Sequence, residues 1–219
     1  QVRYARMERS FVADRVSKEP LLARVGGYDI VLAAFQDFAY GMAKQAAPRA
    51  GYRQRYVVVL GGHNGFARAS DSVERFDVVN CRWEMMPRMP TARSSFAAAV
   101  LNDAIYVAGG FGLSSSLGRS TINLPKVERF DIVTGTWEAV PSMINDRSSF
   151  GMAVLNGSLY VVGGSNHKSE SKYGMSSAEC YTPGASQWRS LPNMVTARYS
   201  MGVAVLSGKL YVVGGVHHD

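Results

Sequence analysis

Three arginines stand at a constant spacing: Arg93, Arg147 and Arg198 follow one another at steps of 54 and 51 residues. Guanidinium groups hold carboxylates and phosphates through paired, charge-assisted hydrogen bonds, so three of them brought together could clamp an anion. A residue recurring at one position of a repeat is equally what a structural or channel-lining role would leave. Other groups capable of chemistry are sparse. His63, His167, His217 and His218 show no His-x-x-x-His spacing and no Cys-x-x-Cys accompanies them, so neither a metal nor another cofactor is expected. There is no Gly-x-x-x-x-Gly-Lys phosphate loop and no Ser/His/Asp arrangement, so the chain is not read as an enzyme. The two cysteines, Cys81 and Cys180, are too few for a disulfide scaffold and are expected as free thiols in a reducing, cytoplasmic setting.

Composition narrows the classes further. The 219 residues are 47% hydrophobic and 19% charged, which supports a packed core and excludes a disordered chain. No apolar run approaches the length of a membrane span, and no membrane partner is expected. The net charge of +7 suggests nucleic acid until it is mapped. Residues 1–55 hold 10 Lys/Arg against 5 Asp/Glu, and the remainder holds 14 against 12. The excess is therefore an N-terminal basic face (Arg3, Arg6, Arg9) without interleaved aromatics, and no nucleic-acid partner is expected.

The arginines belong to a larger pattern. Each lies ten residues after a tryptophan (Trp83, Trp137, Trp188) and 16 before a glycine pair (Gly109-Gly110, Gly163-Gly164, Gly214-Gly215), with a further pair at Gly61-Gly62. Glu74, Glu128 and Glu179 stand nine residues before each Trp, and Phe76, Phe130 and Tyr181 stand seven before. All variation in length falls between the glycine pair and the Glu. Rigid spacing on several residue types at once is an internal repeat of about 50 residues, a period at which propeller blades occur. Within a unit, "SSFAAAVL" and "AIYVAGG" are strand-like apolar runs, covered on both faces. They are joined by Asn102-Asp103, Asn156-Gly157 or Ser207-Gly208, pairs suited to tight hairpin turns. That turn chemistry also accounts for Asn156-Gly157-Ser158, which otherwise spells a glycosylation acceptor. "VERFDIV" and "TWEAV" form a second, half-buried hairpin. The paired glycines end the second strand where neighbouring backbones crowd, and the Trp supplies packing area between blades.

The Gly pair, Glu-Arg-Phe-Asp, Trp, Met-Pro, Arg and Leu-Tyr-Val-Val-Gly-Gly resemble kelch repeats over residues 56–215. The third unit departs with "AECYTP" in place of "VERFD". The fold implied is mainly β: an incomplete kelch propeller of four-stranded antiparallel blades, preceded by a short helical segment. Its blades are 56–87 (partial), 88–141, 142–192 and 193–219 (partial), with three, four, four and two strands. Residues 1–45 carry a helical stripe of Val31, Ala34, Phe35, Phe38 and Met42. Through "FVADRVSKEPLL" and "DIVLAAFQDFAYG" they resemble the end of a BACK domain, with 46–55 as a linker. An open ring has raw sheet edges, so the chain is expected to be a piece of a longer BTB–BACK–Kelch product.

The resemblance implies a partner surface on the face where the variable loops gather. Matched position by position, it is made of His63, Asn64, Phe111, Ser165 and Asn166 after the glycine pairs, with Arg93, Ser94, Arg147, Ser148, Arg198 and Tyr199 opening the inner strands. Converging guanidiniums there would favour an acidic or phosphorylated peptide. The function implied is substrate recognition for a cullin-type ubiquitin ligase, the cullin being reached through a BTB domain outside these residues. The rival role in the family is a cytoskeletal scaffold binding actin. Two enzymatic alternatives fit less well. "FDIVTGTW" places Asp131 six residues before Trp137, where a sialidase box needs five, and the histidines do not assemble the His, Tyr and Cys ligands of a copper oxidase.

Overall fold

The computed structural model describes residues 56–64, 68–78, 80–113, 121–166 and 174–217. The helical segment expected over 1–45 and the linker over 46–55 lie outside them. The described residues form seventeen strands. β1 (Tyr56–Leu60), β4 (Val73–Asp77) and β5 (Arg82–Met85) make a three-stranded first blade. β6 (Ala97–Leu101), β7 (Ala104–Ala108), β10 (Val127–Asp131) and β11 (Thr136–Val140) make the second. β12 (Gly151–Leu155), β13 (Ser158–Val162), β14 (Ala178–Tyr181) and β15 (Arg189–Leu191) make the third, and β16 (Gly202–Leu206) with β17 (Lys209–Val213) the two-stranded fourth. Every pairing is antiparallel and follows chain order, as the repeat predicts. The expectation omitted two short hairpins after the first two glycine pairs: β2 (His63–Asn64) with β3 (Arg68–Ala69), and β8 (Phe111–Leu113) with β9 (Thr121–Asn123).

The inner hairpins turn where the sequence places them. Leu101 faces Ala104 across Asn102 and Asp103, whose φ values of 50° and 56° are left-handed. Asn and Asp tolerate that region better than most residues, and the mirror-image turn it produces matches the twist of the flanking strands. β7 is buried along its whole length and β6 at all but Val100, because blades cover both of their faces. In β16 burial alternates instead, with Val203 buried between exposed Gly202 and Ala204. This hairpin is packed on one face only.

Three features hold adjacent blades together. Apolar contacts are continuous, with Tyr106, Val127, Met143, Met152, Leu159 and Trp188 in one buried cluster that crosses from the second blade to the third. The tryptophans pack on the aromatic residue of the facing strand, tilted for Phe130–Trp137 and stacked for Tyr181–Trp188, at centroid distances of 5.1 and 5.4 Å. Their indole N–H groups also reach back to the preceding blade, Trp137 to the Pro87 carbonyl at 2.9 Å and Trp188 to that of Pro141 at 2.8 Å. The packing role was legible from the sequence, but the hydrogen bond was not.

The third feature is the glycine pair, whose second member donates its N–H to the next blade's arginine carbonyl, Gly110 to Arg147 at 2.9 Å. Gly110 has φ +89°, and a Cβ there would stand 2.5 Å from the Ser94 carbonyl oxygen and 2.7 Å from the Phe96 Cβ. Gly157, in a hairpin turn, also has positive φ (+74°) but nothing within 4 Å. The two sites separate conformational strain from steric overlap. Gly157→Ala is expected to cost about 1 kcal/mol, the strain alone. Gly110→Ala adds a backbone collision and should cost about 3 kcal/mol or more. Urea unfolding of the two variants measures the difference, and equal midpoints would show that crowding at the pair is not what requires glycine.

Candidate functional site

The recurrent arginines are placed inside the blades. Arg93 and Arg147 are fully buried. Arg93 Nη1 donates to the Gly109 and Lys126 carbonyls at 2.9 and 3.1 Å, and Arg147 Nη1 to those of Gly163 and Ser177 at 2.7 and 3.1 Å. Each also meets the Glu of its own blade. Arg147 Nη2 donates to Glu179 Oε1 at 2.6 Å. Arg93 Nη2 lies 2.9 Å from Glu128 Oε2, a charge contact too poorly angled to be a hydrogen bond. Burial pushes both guanidiniums below their usual pKa, and the adjacent carboxylates oppose that shift. Arg198 is half-buried and caps the Gly214 carbonyl at 2.7 Å. The expected ring of guanidiniums is therefore absent from the loop face at Arg93 and Arg147, because both are spent on carbonyls and carboxylates within the blade.

The carboxylates extend the link to the loops that connect blades. Glu179, fully buried, accepts from the main-chain N–H groups of Ile144 and Asn145 at 2.7 and 3.0 Å and from Asn145 Nδ2 at 2.9 Å. Glu128 accepts from the Thr91 hydroxyl at the matching point one blade earlier. The Glu-to-Arg spacing in the sequence thus encodes a buried clamp on the strand-to-strand connection.

The remaining predicted residues separate into bridged pairs. Ser94 and Phe111 exchange main-chain hydrogen bonds at 3.0 and 2.7 Å, and Ser148 and Ser165 do so at 3.0 and 2.8 Å. Tyr199 makes the same bridge with Val216, at 3.1 and 2.8 Å. The start of each inner strand thereby meets the first residue after its own glycine pair. Ser94 and Ser148 are buried, whereas Phe111, Ser165, Asn166 and Tyr199 are half-buried and reach the surface. Asn166 Nδ2 donates to the main-chain and side-chain oxygens of Asp146, at 2.8 and 2.6 Å. His63 is half-buried in the β2–β3 hairpin opposite Ala69, and Asn64 pairs there with Arg68.

Two features of this face were missed. Ser95, Ser149 and Ser200 each stand two residues after a recurrent arginine and adopt left-handed φ values of 51°, 52° and 54°. The Ser149 N–H donates to the Ser95 carbonyl at 2.8 Å, and the Ser200 N–H to that of Ser149 at 2.7 Å. They form a main-chain ladder across three blades. Their spacing matches that of the arginines and could have revealed them. The second feature is Asn123, at the end of β9, whose Nδ2 crosses to the Ser165 carbonyl at 2.6 Å. It left no signal, since it is not repeated. Among the described residues, no group of three or more His, Cys, Asp or Glu side chains could hold a metal ion, and neither Cys81 nor Cys180 is part of a disulfide.

Consecutive antiparallel blades of up to four strands, joined at glycine pairs, define a β-propeller of the kind that serves as a protein-interaction module. A family model described as the KLHDC2/KLHL20/DRC7 Kelch-repeats domain matches residues 43–215, and the chain belongs to the kelch-repeat family. Kelch-like protein 15 of Homo sapiens is 32% identical over 159 residues, covering 68% of this chain and 26% of that protein. The Danio rerio protein of the same name is 31% identical over 197 residues, 81% of this chain and 32% of that one. Kelch repeat and BTB domain-containing protein 2 of Ectromelia virus (strain Moscow) is 33% identical over 121 residues, 55% of this chain and 20% of that protein. The chain thus spans at most about a third of the length of these relatives. Among solved structures, YjhT shares the fold with a TM-score of 0.63 and 18% identity, over 75% of this chain and 56% of that one.

The buried clamp makes a prediction that an exposed ion pair does not. Removing the carboxylate in Glu179→Ala strands a buried guanidinium and should cost about 3–5 kcal/mol. The Arg129–Glu138 pair, with side chains 24% and 56% exposed, should lose no more than about 1 kcal/mol in Glu138→Ala. Chemical denaturation checks both, and similar losses would show that the Arg147–Glu179 contact is not a structural linchpin.

Proposed function

We propose that this chain is the recognition part of a BTB–kelch adaptor that delivers a protein to a cullin-type ubiquitin ligase in the cytoplasm. The loop face would hold the protein to be modified. The observation that carries this reading is the similarity to Kelch-like protein 15 and to a protein named for a BTB domain together with its kelch repeats. In adaptors of that kind the BTB domain docks the cullin and the propeller selects the substrate, a division that leaves this chain the selecting part. The geometry agrees with such a role. Arg93, Glu128, Arg147 and Glu179 are turned inward, and half-buried Phe111, Ser165 and Tyr199 are held at the surface by paired main chain. A rigid frame presenting varied side chains is what selection among protein surfaces needs.

Affinity purification of the full-length protein from cells tests the reading. A cullin is expected to co-purify and to be lost when the segment N-terminal to the propeller is removed. Co-sedimentation with filamentous actin and no cullin would overturn the proposal in favour of a cytoskeletal scaffold.

A further inference from the structure

The fourth blade presents a strand edge and a set of donors that the second and third blades use together. In those blades the second strand is paired on both sides, β7 between β6 and β10, and β13 between β12 and β14. Among the described residues β17 pairs with β16 alone. Its outer edge therefore offers main-chain N–H and C=O groups, the template on which a further strand pairs. The side chains are open as well. Tyr106 and Tyr211 each stand three residues before a glycine pair, yet Tyr106 is 3% exposed and Tyr211 44%. No proline blunts the edge, and Lys209 at its start is its only charged residue.

Beside this edge the donors of a carboxylate site stand without a carboxylate. In the second and third blades Glu128 and Glu179 pair across the sheet with Val107 and Val161, and each meets Nη2 of its blade's arginine. Each also takes donors from the loop before that arginine, the Thr91 hydroxyl for Glu128 and the N–H groups of Ile144 and Asn145 for Glu179. The fourth blade keeps these positions. Thr196 lies two residues before Arg198 as Thr91 does before Arg93, and Val195 and Thr196 stand where Ile144 and Asn145 do. Arg198 Nη1 caps the Gly214 carbonyl, at the end of β17, as its counterparts cap theirs. Among the described residues its Nη2 meets no carboxylate, and the N–H groups of Val195 and Thr196 have no acceptor. All three residues are accessible: Val195 is fully exposed, and Thr196 and Arg198 are half-buried.

We propose that the β17 edge docks an extended segment of a partner protein that carries a glutamate. The segment adds an antiparallel strand to the fourth blade, its glutamate opposite Val212 and held by Arg198, Thr196 and Val195. The pairs Val107–Glu128 and Val161–Glu179 set this register. They also set the neighbours: an apolar residue before the glutamate and an aromatic two after it, as Val127 and Phe130 flank Glu128 and Ala178 and Tyr181 flank Glu179. Main-chain pairing supplies affinity, and the charge-assisted bonds to the carboxylate fix the register. A second copy of this chain fits less well. Its Glu128 and Glu179 are buried in their own blades, and its Glu74 lies on β4, already paired on both edges. The inference does not rest on reading the loop face as a partner surface.

The test titrates the full chain with a synthetic peptide copying residues 124–140, which include β10 and β11, and with the same peptide carrying Glu128→Gln. Calorimetry should show saturable binding of the first and binding at least about tenfold weaker for the second, a comparison that leaves the chain's own fold untouched. Arg198→Gln in the chain should weaken the glutamate peptide by a similar factor and the glutamine peptide little, because the two groups form one contact. Amide hydrogen exchange across Lys209–Val213 should slow when the peptide binds. Absence of binding, equal binding of the two peptides, or protection confined to Phe111, Ser165 and Tyr199 would overturn the proposal. So would a chain that dimerises through β17 and excludes the peptide.

Discussion

The link between each recurrent arginine and two glycine pairs is the constraint on which the rest of the structure depends. The arginine side chain caps the carbonyl of the first glycine in its own blade: Arg93 on Gly109, Arg147 on Gly163, Arg198 on Gly214. Its main-chain carbonyl accepts the N–H of the second glycine in the preceding blade: Gly62 to Arg93, Gly110 to Arg147, Gly164 to Arg198, at 2.9–3.0 Å. One residue thus closes a blade on itself and fastens it to its neighbour. Gly61, Gly109 and Gly163 must be glycines because a Cβ there would stand 2.6–2.8 Å from the carbonyl oxygen of the next blade's arginine. The glutamate must be buried because it neutralises the guanidinium where water cannot.

From this link follows the division of labour in the molecule. Charge that might have faced a partner is consumed in holding blades together, and the positions beside it are left to vary. Ser94, Ser148 and Tyr199 occupy one geometric position, as do Phe111, Ser165 and Val216, and the main-chain bridge between the two sets is the same in each blade. Side-chain identity can therefore change along the face without altering where the side chain is held. A scaffold of this kind supports recognition that depends on which residues occupy fixed places, with little rearrangement of backbone.

Much of the fold was legible because its cause is local and repeated. The strands of three, four, four and two in successive blades lie where the apolar runs and turn pairs put them, since alternation and positive-φ turn residues act within a few positions. The hairpins β2–β3 and β8–β9 were not legible, as two or three residues per strand are too few to show a period. The candidate site was read only in part. Spacing picked out Ser148, Ser165 and Tyr199, which take part in the main-chain bridges between inner-strand starts and the residues after the glycine pairs. It did not disclose that Arg93 and Arg147 are buried on carbonyls, because recurrence identifies a position in the blade and says nothing about which way the side chain turns.

The sequence by itself determined the period, the strands, the tight turns and the need for paired glycines, all consequences of steric and hydrophobic rules acting within one unit. Only the tertiary structure decided how the units meet. The fate of a guanidinium depends on the carbonyls and the carboxylate that surround it, and those arrive from residues 16 to 35 positions away in the chain. The serine ladder joins residues 54 and 51 positions apart, and the lone amide of Asn123 reaches a carbonyl 42 residues on. Hydrogen bonds between blades are set by distance in space, and a single strand's sequence carries no record of the neighbour it will face.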